Sequence, residues 1–179
     1  MNPFSPRQRK LALAAHITVS VGWLGAAAVF LALAVAGLTS RQPGAVQGAY
    51  VTMKLVGWYV IVPLGIASLV TGVVQSLGTT WGLVRHYWVL AKLLITAPAT
   101  GLLVVHMGPI GQLADVAART GPTGTELQGL RAQMIVDASA ALLALLTAVV
   151  LSVFKPRGAT GYGRRAAARA RAGTQPTGN

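Results

Sequence analysis

Four long apolar stretches alternate with shorter polar or Gly/Pro-containing segments along the chain. The first runs from Leu11 to Leu38, with His16 as its one ionisable residue. The second covers about Leu55 to Leu77 and holds no charge. The third covers about Trp88 to Met107 and contains Lys92 and His106. The fourth covers about Met134 to Phe154 and contains Asp137. A helix needs roughly 20 mostly apolar residues to cross a bilayer core of about 30 Å. Each stretch meets that length, and no two-residue alternation of the kind a membrane barrel needs competes with it. The pattern predicts an all-α protein: a four-helix transmembrane bundle formed as a single membrane domain by residues 1–154, followed by a tail at 155–179. Ala34-Val35-Ala36 imitates a signal-peptide cleavage site, but the apolar run before it is longer than a signal core, so the first stretch is read as a span.

The connections carry their own signals. Thr39 to Tyr50 reads as a Gly/Pro/Gln loop, and Ser76 to Tyr87 as a tight turn with Gly78 and Gly82. Gly108 to Gln133 is the longest connection. Within it Asp115 and Arg119 stand i, i+4, as in a short helix. Gly121-Pro122 breaks that helix, and Thr123 with Glu126 forms a capping-box pattern that starts the fourth helix above the apolar stretch. Trp81, Tyr87 and Trp88 form an interfacial aromatic group.

Small residues mark the faces that meet, because helices in lipid associate through close backbone approach. On the second stretch Gly57, Ile61, Gly65, Ser68, Gly72 and Gln75 fall on one stripe, with Pro63 predicted to kink the helix. The first stretch aligns His16, Ser20, Trp23, Ala27 and Phe30. The third aligns Lys92, Thr96, Ala99, Leu103 and His106, with Pro98 beside them. The fourth aligns Asp137, Ala141, Ala144 and Ala148. In three helices an ionisable residue shares the stripe with small or hydroxyl side chains, the place expected for groups facing the bundle interior.

Composition sharpens this. The 179 residues include 15 Lys and Arg against 3 Asp and Glu, a formal charge of +12, yet only 10% are charged and 54% are hydrophobic. An ordinary soluble domain is about a quarter charged. The mean hydropathy of +0.61 leaves too little polar surface to cover a globule, so a soluble nucleic-acid binder is excluded despite the charge. Sorted by side, Arg7, Arg9, Lys10, Arg85, Lys92 and all six basic residues after the fourth stretch fall together, leaving Arg41, Lys54, Arg119 and Arg131 opposite. The positive-inside rule then places both termini in the cytoplasm. The expected location is a bacterial inner (plasma) membrane, crossed several times. The basic Ala/Gly/Arg-rich tail has no apolar face to bury. It is expected to be disordered and drawn to anionic lipid head groups, at about 1 kcal/mol per basic residue near the surface. The chain has no Cys, which removes disulfide and thiolate chemistry.

Ionisable groups deep in a bilayer are costly and mark sites. His16 suits haem or metal ligation or a proton relay; otherwise it is a neutral imidazole bonded to a neighbouring helix, with Gln75 or Ser76 as the expected partners. Lys92 suits contact with an anionic group; otherwise it snorkels to the near surface. His106 and Asp137 fall near the opposite face, where Asp137 could orient His106, or Lys54 could join the pair, either behind a ligand or as a lock on helix register. At 1.5 Å per residue His16 and His106 lie on the order of 20 Å apart in depth, so they cannot ligate one iron. A bis-His site would need His86 or a second protomer. HExxH, Gly-rich phosphate loops and Ser/His/Asp orders are absent, and no catalytic motif marks the chain as an enzyme.

The run His16-Ile-Thr-Val-Ser-Val-Gly-Trp23-Leu-Gly25 resembles the first helix of membrane proteins of the copper-resistance D type and of an uncharacterised bacterial integral-membrane family known only as a domain of unknown function. Thr71-Gly72, Trp81-Gly82-Leu83 and Tyr87-Trp88-Val89-Leu90-Ala91-Lys92-Leu93 are similar to the same group's next two helices. The Lys92-to-His106 spacing resembles the HemJ-type protoporphyrinogen oxidases more distantly. The resemblance covers roughly Leu11 to His106. It implies a helical bundle in the bacterial inner membrane and, from the HemJ type, a haem b held by a first-helix His and a third-helix Lys, which here are His16 and Lys92. Three functions follow as expectations. One is haem- or metal-linked redox or transport work at His16, Lys92, His106 and Asp137. Another is a non-catalytic accessory or scaffold subunit without a cofactor. The last is a small-molecule or ion carrier acting as a homo-oligomer or with another membrane protein.

Overall fold

The computed structural model describes residues 4–78, 87–120, 126–154, 158, 160–161 and 164–165. Secondary structure among them is entirely helical. We label the helices α1 (Pro6–Thr39), α2 (Pro43–Leu77), α3 (Tyr87–Thr120) and α4 (Glu126–Phe154). All four contain stretches long and apolar enough to cross a membrane.

Local chemistry sets the starts. Ser5 caps α1 through a reciprocal box: its Oγ accepts from the Gln8 amide at 3.3 Å, and its own amide donates to Gln8 Oε1 at 2.8 Å. Pro6 occupies the first turn, where its missing N–H costs nothing. α2 begins at Pro43 in the same way, which corrects the loop expected over Thr39 to Tyr50. Its Gly and Gln residues lower the apparent hydropathy on the outward side. Val46, Ala49, Tyr50 and Met53 repeat at i, i+3, i+4 and i+7 and are all buried, so packing decides for helix. The α1–α2 connection shrinks to Ser40–Gln42. On α3 the helix runs without interruption through Asp115 and Arg119 to Thr120, and α4 opens at Glu126, the residue of the capping-box pattern. Of the turn expected over Ser76 to Tyr87, Ser76 and Leu77 end α2 and Tyr87 opens α3; residues 79–86, the Gly121-Pro122 break and most of the tail lie outside the described residues.

Pro63 produces a widened turn in α2. Gly57–Ile61 forms one π turn, closed by the Val62 amide donating to the Gly57 carbonyl. A proline removes one ladder donor and crowds the carbonyl four residues back, and a π turn absorbs both effects without ending the helix.

The helices pack in a ring in chain order: α1 against α2 and α4, α3 against α2 and α4. Consecutive helices run antiparallel. The start of α1, the end of α2, the start of α3 and the end of α4 therefore share one end, here the basal end; the Ser40–Gln42 turn lies at the distal end.

The α1–α2 seam shows how sequence fixes register. A β-carbon added at Gly72 would stand 3.1 Å from the His16 ring and at Gly65 3.2 Å from the Trp23 indole, while at Gly57 it would meet Met107 Sδ of α3 at 2.7 Å, with the Phe30 ring at 4.0 Å. Ser20 Oγ and Ser68 Oγ lie 2.8 Å apart between the first two of these steps. At the distal end the roles reverse, and Gly37 of α1 receives the Tyr50 ring. Large side chains thus enter glycine notches on the partner. In lipid this replaces the missing hydrophobic drive with dispersion contacts at short range. Trp23, Phe30 and Tyr50 belong to the buried core together with Met107, Ile110, Met134, Ala138 and Leu145.

Candidate functional site

Two cavities lie along the bundle axis. The basal one has a volume of about 490 Å³. His16 and Ser20 of α1, Ser68, Gly72, Gln75 and Ser76 of α2, Trp88, Lys92 and Thr96 of α3 and Ser152 of α4 line it among apolar neighbours. The distal one, about 280 Å³, is walled by Trp23, Phe30, Met107, Met134 and a row of alanines, with Asp137 the single ionisable lining residue among those described. Leu145 borders both cavities.

His16 and Lys92, 76 residues and two helices apart, therefore share one chamber. The expected hydrogen bond from His16 to Gln75 or Ser76 is not the one formed. His16 Nδ1 lies 3.0 Å from Thr71 Oγ1, one turn earlier on α2, because Gly72 leaves a notch that admits the ring at that level. Gln75 and Ser76 line the same chamber without bonding to the imidazole. Thr71 Oγ1 is also 2.7 Å from the Ala67 carbonyl and 3.2 Å from the Ser68 carbonyl. Carbonyls only accept, so the single hydroxyl proton goes to the backbone and Oγ1 accepts from His16 Nδ1–H. With Nδ1–H committed to Thr71, Nε2 is the ring nitrogen left to a ligand.

Lys92 turns back along α3, and its Nζ lies 5.4 Å from the centre of the Trp88 ring, one turn nearer the basal end. Two other hydroxyls of the chamber serve their own helices: Thr96 Oγ1 donates to the Lys92 carbonyl at 2.9 Å and Ser152 Oγ to the Ala148 carbonyl at 2.8 Å. The chamber thus offers a held imidazole and an ammonium over an aromatic face. Among the described residues no group of three His, Cys, Asp or Glu side chains could hold a metal ion. A metal here would need most of its ligands from elsewhere, as a macrocycle supplies them.

At the distal end Asp137 faces the second cavity, as its stripe requires, though the most buried line of α4 is its neighbour: Met134, Ala138, Leu145 and Ala148. His106 has helical backbone on α3, but its side chain, and with it the pairing with Asp137, lies outside the described residues, as does His86. Lys54 points toward α3, its Cε 3.9 Å from where a Gly111 β-carbon would stand.

Two residues the sequence did not single out are buried here. Arg131, which sequence places in an outer connection, is 6% exposed, and Tyr50 is 1% exposed. The guanidinium lies 5.5 Å from the centre of the Tyr50 ring, reaching from α4 across the ring of helices to α2. The spacing contained a signal: Arg131, Met134, Ala138 and Ala141 continue the inward stripe by one turn. Thr71 carried none, since it stands one position off the glycine stripe. No family model matches the chain, and neither a curated protein nor a solved structure matches it.

Proposed function

We propose that this chain is a multi-pass protein of a bacterial inner membrane, with both termini cytoplasmic, that holds a haem-class macrocycle in its basal chamber. The observation that carries this reading is the His16 imidazole with its Nδ1–H committed to Thr71, because a ligating histidine characteristically donates its other nitrogen to a fixed acceptor. The chamber volume of about 490 Å³ lies in the range of cofactor pockets, about 300–1,000 Å³. A macrocycle also brings its own ligands, which suits a site with one imidazole. His16 would hold the metal through Nε2, Thr71 and Gly72 would orient the ring, and Lys92 would meet the acidic edge at the basal side. Such a group, when bound, supplies one-electron chemistry. The apolar wall of Leu13, Leu24, Leu69, Leu93 and Leu145 would keep water away. The excess of basic residues at the basal end supports the cytoplasmic placement.

A second reading rests on a specific observation too. His16–Thr71 and Ser20–Ser68 are both cross-helix bonds between α1 and α2, the arrangement a cofactor-free scaffold or accessory subunit would use to fix register. Expression with ample haem and spectra of the purified protein, oxidised and reduced, separate the two. The haem reading expects a Soret band that His16→Ala abolishes and Thr71→Val weakens. A colourless wild-type protein leaves the scaffold reading. Cysteine-accessibility probes at Gly44 and Gly158 report orientation, with Gly158 expected to be cytoplasmic.

A further inference from the structure

The distal Arg131–Tyr50 pair plays no part in the basal chamber. Arg131 is more than nine-tenths buried. Among the described residues its Nε and Nη2 meet no hydrogen-bond partner, and neither does the buried Tyr50 hydroxyl. A guanidinium carries five donors and keeps its charge at any accessible pH. Removing it from water without an anion costs more than one cation–π contact returns. Buried donors left open in this way call for an acceptor.

The surroundings fit an anion. Tyr50 is locked in place: a β-carbon at Gly37 would come within 2.7 Å of its Cζ and 2.9 Å of its hydroxyl, so α1 is notched to seat the ring. Lys54 lies one turn further along the same helix, and Arg41 stands exposed beside the distal turn. Asp137 is six residues deeper on α4, in the wall of the apolar cavity. We infer that the distal end of the bundle holds a buried phosphate site, in which the Arg131 fork and the Tyr50 hydroxyl bind oxygens of a lipid phosphodiester or of free phosphate. A planar fork matches two oxygens of such a group, and the phenol donates to a third or to one of the two. The pair joins α2 to α4 across the ring of helices, so a bound phosphate would tie together two helices that do not otherwise pack as neighbours.

The test uses the full chain, delipidated in a non-ionic detergent. Thermal unfolding is followed by tryptophan fluorescence while inorganic phosphate is titrated against chloride at equal ionic strength. Native mass spectrometry of gently purified protein reports retained phospholipid. The inference expects either a saturable rise in Tm with phosphate, which identifies the free anion, or a phospholipid adduct that survives detergent exchange, which identifies the head group. Arg131→Gln should weaken the phosphate midpoint or the lipid occupancy by about ten- to a hundredfold, the usual loss for a charged hydrogen bond, and Tyr50→Phe should weaken it less. Wild-type protein that responds to phosphate no more than to chloride and carries no adduct overturns the inference. So does an Arg131→Gln protein that behaves as wild type. Should Arg131→Gln fail to fold, Arg131→Lys keeps the charge and loses the fork; unchanged binding in that variant overturns the inference equally. None of these outcomes depends on haem in the basal chamber.

Discussion

Gly72→Ala on α2 tests the basal chamber from the helix opposite His16. Two effects oppose each other. Replacing a helical glycine by alanine gains about 0.8–1 kcal/mol in propensity. Against that, the new β-carbon stands 3.1 Å from His16 Cε1 and 3.6 Å from Nδ1, closer than the roughly 3.5–4.0 Å carbon contact optimum. The ring must retreat by a few tenths of an ångström, which stretches the 3.0 Å bond to Thr71 toward the limit of hydrogen bonding. Overpacking of this kind costs about 1–3 kcal/mol. The net change therefore runs from about zero to about 2 kcal/mol of destabilisation. Gly25→Ala is the control: Gly25 is exposed on α1 with nothing within 4 Å of its β-carbon position, so propensity alone acts. We expect Gly25→Ala to be more stable than Gly72→Ala by about 1–3 kcal/mol in SDS titrations of mixed micelles followed by circular dichroism. Equal stability of the two variants would show that the His16 ring does not occupy the Gly72 notch, and the commitment of Nδ1–H to Thr71 would fall with it.

Other predictions follow from the same seam. The Ser20 and Ser68 hydroxyls bond to each other at 2.8 Å, so a Ser20→Ala/Ser68→Ala cycle should show a coupling near 0.6 kcal/mol, typical of membrane helices. The Ser20/Ser152 cycle should show none, since Ser152 bonds to its own helix, and a null result in the first cycle would contradict the α1–α2 register. A peptide of residues 155–179 should bind anionic vesicles at low salt with about 1 kcal/mol per basic residue and neutral vesicles far more weakly; equal binding to both would refute the lipid role of the tail.

Much of the bundle was legible in the chain. Apolar length set the number of helices, because a bilayer leaves a helix as the form that satisfies every backbone group within one segment. The stripes through His16, Ser20 and Trp23 and through Gly57, Gly65 and Gly72 named the faces that meet, since close approach in lipid requires small residues. The start of α2 was not legible. There Gly44, Gln47 and Gly48 dilute the hydropathy, and only burial of Val46, Tyr50 and Met53 against α1 makes Pro43 the first turn.

The sequence by itself determined how many helices form, which stripes face inward, and that His16 and Lys92 fall toward the same end. Tertiary structure alone decided which groups touch. Register along the α1–α2 seam is set by whole side chains entering glycine notches, a matter of shape that no single helix period contains. That register gave His16 to Thr71 rather than to Gln75 or Ser76. The ring order of four helices brought Arg131 of α4 over Tyr50 of α2. A position in sequence says how deep a residue lies; only packing says whether its charge finds a partner there.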